Sequence, residues 1–176
     1  YIDPIDGTHN FIRGVPLFGT LIAVEVDGEL QVGAMSAPAM GERWYAARGT
    51  GAWHIDREGN RRRIRVSEVA ALEEAQVIYG SFRENVRSGL MPGLEGLVDA
   101  CWRERGFGDF WGYALVAEGA AEVMLETGMH SWDVAAPRVI IVEAGGRVSD
   151  VEGARGVDTP AFVGSNGLLH DEILAR

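Results

Sequence analysis

The chain has 176 residues, a formal net charge of −10 and an apolar fraction of 47%, which is one domain's worth of sequence with enough apolar side chains for a buried core. Its negative field argues against non-specific binding to DNA, RNA or anionic lipid and suits a protein that collects cations. All sixteen basic residues are Arg, so no lysine is available to catalysis. The single cysteine, Cys101, excludes an intrachain disulfide, fits a reducing cytoplasm and reads as a small core residue. No apolar run approaches the ~20 residues of a membrane span.

Residues 1–8, YIDPIDGT, read as the end of a buried strand running into a loop. A domain rarely begins on such a loop, so further sequence is expected before it. Residues 17–26 are a β-rich run, Asp27-Gly28 is a hairpin turn, and LQVGAMSAP is the partner strand. Residues 42–49 form a third strand. HIDREGNRRRIRVSE is a turn followed by a short edge strand, with Arg61, Arg62 and Arg63 on a solvated rim. Residues 76–81 read as a buried strand, and residues 84–104 as broadly helical, interrupted by Gly89, Pro92 and Gly93. A helix is expected over 109–118, capped by Asp109, then a strand over 121–126. A second helix over 131–144 opens at Ser131 as cap and closes at Gly145-Gly146. Short strands over 147–150 and 161–164 and a last helix from about Leu168 complete the chain. This alternation predicts a mixed α and β fold of layered sheets covered by helices.

Two strings carry chemistry. In Asp3-Pro4-Ile5-Asp6-Gly7-Thr8, two carboxylates three residues apart cannot share a strand face. They converge if the chain turns between them, and Pro4 stiffens such a turn. Hard divalent cations take several oxygen ligands, and Asp3, Asp6 and the Ile5 carbonyl offer them. Gly7 and Thr8 would start a helix with backbone N–H groups free for a phosphate. The alternative is an ordinary acidic turn ahead of a helix. In Ser131-Trp132-Asp133-Val134-Ala135-Ala136, Asp133 lies in a helix's first turn, where the dipole favours its charge. By itself that residue need only help start the helix.

Taken together, DPIDGTHNF and SWDVAA, about 125 residues apart, resemble the two signatures of the inositol monophosphatase family. The resemblance extends through EAGGRVSD and VGSNGLLHDEI. It implies an α+β fold, a layered αβαβα sandwich that is often dimeric, with residues 1–176 forming the C-terminal two-thirds of a longer phosphatase domain. It also implies two or three Mg²⁺ ions, with Asp3 as bridging ligand, the Ile5 carbonyl as ligand, and Asp6 and Asp133 completing the second metal. Gly7 and Thr8 would bind phosphate, with Thr8 orienting the attacking water. Phe107, Gly108, Asp109, Glu126 and Asp133 match substrate-pocket positions, and His130 is expected to be structural. Family members carry an acidic pair about twenty residues before the DP motif. Without it this chain alone is expected to have little activity.

GDFWGYALVAEG (108–119) resembles the bacterial histidinol-phosphate phosphatases of this family. Asp109 offers a carboxylate to a substrate ammonium, or serves only as a helix cap. Phe110, Trp111 and Tyr113 cannot all face a pocket from one helix. The implied activity is metal-dependent hydrolysis of a small phosphate ester, first histidinol phosphate, then inositol 1-phosphate or a sugar phosphate. Its expected setting is cytoplasmic, without nucleic acid or membrane. A different class also follows from the resemblance: a non-catalytic regulator bound to a protein partner.

Overall fold

The computed structural model describes residues 1–159 and 161–176. Six antiparallel strands form the first sheet in sequence order: β1 (Ile2–Asp6), β2 (Gly19–Val26), β3 (Glu29–Ala37), β4 (Glu42–Ala47), β5 (Ala52–Ile55) and β6 (Arg61–Ile64). Short α1 (Thr8–Arg13) bridges β1 and β2. Asp27 (φ 54°) and Gly28 (φ 77°) make the β2–β3 turn, whose left-handed conformations suit Asp and Gly. Side chains alternate along β2 and β3, so Leu21, Ala23, Met35 and Ala37 point into the core. On the opposite face Ile22, Val24 and Val32 are half exposed, and the Arg61 guanidinium stacks 3.8 Å from the Trp53 ring centroid.

The second sheet has the order β10-β11-β9-β7-β8. Its strands are β7 (Gln76–Tyr79), β8 (Arg103–Arg105), β9 (Val123–Thr127), β10 (Arg147–Ser149) and β11 (Ala161–Ser165). Between the sheets lie α4 (Asp109–Ala117) and α5 (Ser131–Glu143). They share one buried cluster with Leu21, Met35 and Trp44 of the first sheet and Ile78, Met124 and Phe162 of the second. The other face of the second sheet packs Val77, Leu125 and Val163 against α3 (Met91–Ala100) and α6 (His170–Leu174). Beside them, α2 (Phe82–Ser88) sends buried Asn85 to accept a hydrogen bond from Thr127 at 3.2 Å. The described residues thus build four layers, sheet, helices, sheet, helices.

Where α5 crosses β3 there is no room for a side chain. A Cβ on Gly33 would lie 2.5 Å from the Ala136 carbonyl oxygen and 2.9 Å from Val139 Cβ. The small residues Ala135 and Ala136 permit the same approach from the helix side. Behind β11, buried His170 sits between Ser165 Oγ at 2.7 Å and Ser149 Oγ at 2.9 Å. Burial, with Arg147 adding to it, pushes that imidazole down to about 4.

Several expected elements change. Residues 84–104 divide into two helices and a strand: Gly89 (φ 78°) ends α2, and β8 then pairs parallel with β7. The strand β5 precedes the polar turn at 56–60, where only one strand had been expected after it. Cys101 is partly buried just past the end of α3, beside the outer cluster, and burial pushes its thiol up. Arg61, Arg62 and Arg63 are exposed on β6, at the opposite edge of the sheet from β1. No helix among the described residues is long and apolar enough to cross a membrane.

Candidate active site

The first string folds around its own carboxylate. The Ile5 N–H donates to Asp3 Oδ1 at 2.9 Å, closing a turn over Pro4. The pairing of β1 with β2 shifts register between Asp3 and Asp6. That irregularity brings to one side two carboxylates that a regular strand would set on opposite faces. Gly7 follows at φ 71°, and a Cβ there would lie 2.8 Å from the Leu17 carbonyl oxygen, so the position excludes side chains twice over. Thr8 then starts α1, and its hydroxyl donates to the Ile5 carbonyl at 2.7 Å. Toward any other group in the site that hydroxyl is therefore an acceptor.

The second string delivers Asp133 from α5. Its cap is His130 rather than Ser131, and the His130 N–H donates to Asp133 Oδ2 at 2.8 Å. The His130 ring is exposed and lies 4.7 Å from the Trp132 ring, so the residue serves the site through its backbone. Carboxylate oxygens of Asp3, Asp6 and Asp133 all lie within 4.8 Å of one another.

Three carboxylates so close resist simultaneous ionisation. Asp6 is 7% exposed, and burial raises its pKa well above the usual range, with Asp109, Asp3 and Asp133 adding to the rise. Burial, followed by Asp3, raises Asp133 to about 6. A divalent cation with oxygen ligands relieves this crowding, so the residues present fit such an ion.

The start of α4 ties the cage to a second pair of acids. Gly108, at φ 67° and ψ −178°, occupies a region open essentially to glycine alone, and Asp109 follows at φ 52°. This aims two successive N–H groups outward: Asp109 N–H donates to Glu126 Oε1 at 3.2 Å, and Phe110 N–H to Asp6 Oδ2 at 2.9 Å. Asp109 is therefore not the cap of α4. The capping is done by Glu126 and Asp6, from β9 and β1, and the helix dipole favours both charges. The Asp109 carboxylate instead accepts from Asn10 Nδ2 at 3.0 Å, and the same amide donates to the Leu17 carbonyl at 3.0 Å.

Glu126 is buried, with Oε2 lacking a hydrogen-bond partner among the described residues, and burial pushes its pKa well up. Gly80 makes its place, since a Cβ there would collide with the Glu126 carboxylate. Phe107 packs at a tilt against Trp111 with centroids 4.9 Å apart, both partly buried, while Phe110 and Tyr113 are core. Asn10 and Gly80 carry weight that sequence reasoning missed. Asn10 stands inside the DPIDGTHNF string, which was its available signal; Gly80 had none beyond being a glycine after a strand. A groove of about 750 Å³ between the β2–β3 hairpin and residues 146–158 holds none of these carboxylates. The three-acid cluster therefore defines the site better than cavity size does.

Two sheets enclosing a helical layer, with an acid cage where β1 meets α5 and α4, are the frame of a known class. The inositol monophosphatase family model matches residues 1–176, and the chain belongs to that family. It is 46% identical to the histidinol-phosphatase of Mycobacterium tuberculosis over 99% of this chain and 67% of the relative. It is 41% identical to the histidinol-phosphatase of Streptomyces coelicolor, over 98% and 66%. Among solved structures, an IMPase of Thermotoga maritima superposes with a TM-score of 0.86 at 37% identity, over 99% of this chain and 66% of that one. The chain thus spans about two thirds of the length of these relatives.

Proposed function

We propose that the protein is a divalent-metal-dependent phosphomonoesterase whose substrate is histidinol phosphate. The observation that carries the reading is the convergence of Asp3, Asp6 and Asp133 within 4.8 Å. Similarity to the two histidinol-phosphatases supports the substrate.

Asp3, Asp6, Asp133 and the Ile5 carbonyl would hold the cation, Mg²⁺ being the hard ion suited to such oxygen ligands. When bound, the metal supplies an acidified water and offsets charge on the phosphoryl oxygens. Thr8, with its proton committed to the Ile5 carbonyl, would offer a lone pair to an attacking water and orient it. Gly7 and Thr8, at the opening of α1, take the phosphate. Asp109 and Glu126 would face the alcohol portion, where a substrate ammonium would favour their charged forms against the burial that opposes them. Asn10 holds the Asp109 carboxylate in place.

A second reading, an inositol or sugar phosphatase, is favoured by 37% identity to a fructose-1,6-bisphosphatase/inositol-1-monophosphatase of Thermotoga maritima. A phosphate-release screen of the full-length protein on histidinol phosphate, inositol phosphate, fructose bisphosphate and adenosine bisphosphate separates the two. The highest kcat/KM is expected on histidinol phosphate. A preference for inositol phosphate or fructose bisphosphate would move the second reading ahead, and magnesium-independent turnover would overturn both.

A further inference from the structure

Behind the acid pair lies a second orphan. Tyr113 is fully buried, and its hydroxyl has no hydrogen-bond partner among the described residues. Leaving a buried phenol unpaired is costly, and so is leaving a buried carboxylate oxygen unpaired. The second such atom is Glu126 Oε2.

Three relations bring these atoms to one place. Tyr113 stands one turn into α4, whose first N–H, that of Asp109, binds Glu126. Helical aromatic side chains lean toward the helix N-terminus, which carries the phenol back toward that same end. The Tyr113 ring also packs edge-on against Phe162, with centroids 5.7 Å apart. Phe162 is the direct cross-strand partner of Glu126 in the β11–β9 ladder, so their side chains stand together on one face.

We infer that the Tyr113 hydroxyl, relayed by one internal water, is the hydrogen-bond donor to Glu126 Oε2, which makes Tyr113 a positioning residue for the substrate-facing carboxylate. Two unpaired polar atoms buried in one region are the setting in which such waters are held. The other charged groups around Glu126 are Asp109 on α4, Asp6 on β1 and Asp133 on α5, all of which oppose its ionisation. The Asp109 N–H favours the charged form at Oε1, and the Tyr113 hydroxyl, through the water, would do the same at Oε2. The inference rests on the reading that Glu126 faces the substrate's cationic end.

The test is Tyr113→Phe, which keeps the ring packing and removes only the hydroxyl. The side-chain carboxyl of Glu126 is followed by carbon NMR of glutamate-labelled protein and assigned by its loss in Glu126→Gln. Its titration midpoint is expected to rise by about one pH unit in Tyr113→Phe. In turnover, kcat/KM for histidinol phosphate at neutral pH is expected to fall about tenfold and to recover at higher pH. An unshifted midpoint would overturn the inference whatever the turnover shows. A shifted midpoint in a protein that does not prefer histidinol phosphate would leave the Tyr113–Glu126 link standing and remove the substrate reading.

Discussion

Asp109 sits at φ 52°, in the left-handed region that Asp and Asn tolerate better than other side-chain-bearing residues. Asp109→Asn is therefore the informative substitution, because it removes charge without changing backbone preference. Asp109→Ala would add strain to the loss. A charge-assisted hydrogen bond to a substrate ammonium contributes roughly 1.5–3 kcal/mol. Asp109→Asn is expected to lower kcat/KM for histidinol phosphate by about 10- to 150-fold and to change glycerol phosphate hydrolysis far less. Equal losses on both substrates would assign Asp109 to the fold or the phosphate. This residue also marks where sequence reading stops. Its position in GDFWGY suggested a helix cap, but the groups that cap α4 are Asp6, 104 positions away, and Glu126, 17 positions away. A cap supplied by another element leaves no local pattern. Asp3, Asp6 and Asp133 each lie in a short string whose turn or helix start is local, but it was the pairing of the two strings in the family resemblance that grouped them.

At the scale of elements, the contact between β3 and α5 decides where Asp133 stands relative to β1. Gly33 permits it, with the Ala136 carbonyl where a Cβ would go. Gly33→Ala must push backbone rather than a flexible side-chain end. Such overpacking costs about 1–3 kcal/mol, a Tm decrease of roughly 2–12 °C for a chain of this size. Because α5 carries Asp133, the same substitution is expected to weaken Mg²⁺ binding, measured by calorimetry. A lower Tm with unchanged Mg²⁺ affinity would show that the cage tolerates movement of α5. The long strands β2, β3 and β4 were readable from alternation and the Asp-Gly turn, whereas β8 was not. Three residues, Arg103–Arg105, carry no period, and their pairing comes from lying beside β7.

Across the whole molecule, acidity and stability are linked through the cage. Asp6 and Asp133 bind protons more tightly in the fold than in the unfolded chain. Their contribution is therefore favourable at low pH and is lost as pH rises, for Asp133 from about 4 through about 6 and for Asp6 through its own raised pKa. His170 acts oppositely: its pKa is depressed to about 4, so the stability it allows is lost as pH falls from about 6.5 toward 4. The difference in Tm with and without Mg²⁺ cancels His170 and isolates the cage. That difference is expected to grow as pH rises from 4 to 7, because protons and metal compete for the same oxygens. A pH-independent difference would place the metal elsewhere.

The most direct test is calorimetric titration of Mg²⁺ into the protein at pH 7 beside Asp133→Asn. Asparagine can still accept from the His130 N–H, so the start of α5 is preserved while one anionic ligand is removed. The account predicts saturable binding to the unaltered protein and affinity at least about tenfold weaker in the variant, with phosphate release falling alongside it. Superimposable isotherms for the two proteins would contradict the assignment of Asp3, Asp6 and Asp133 as a metal cage.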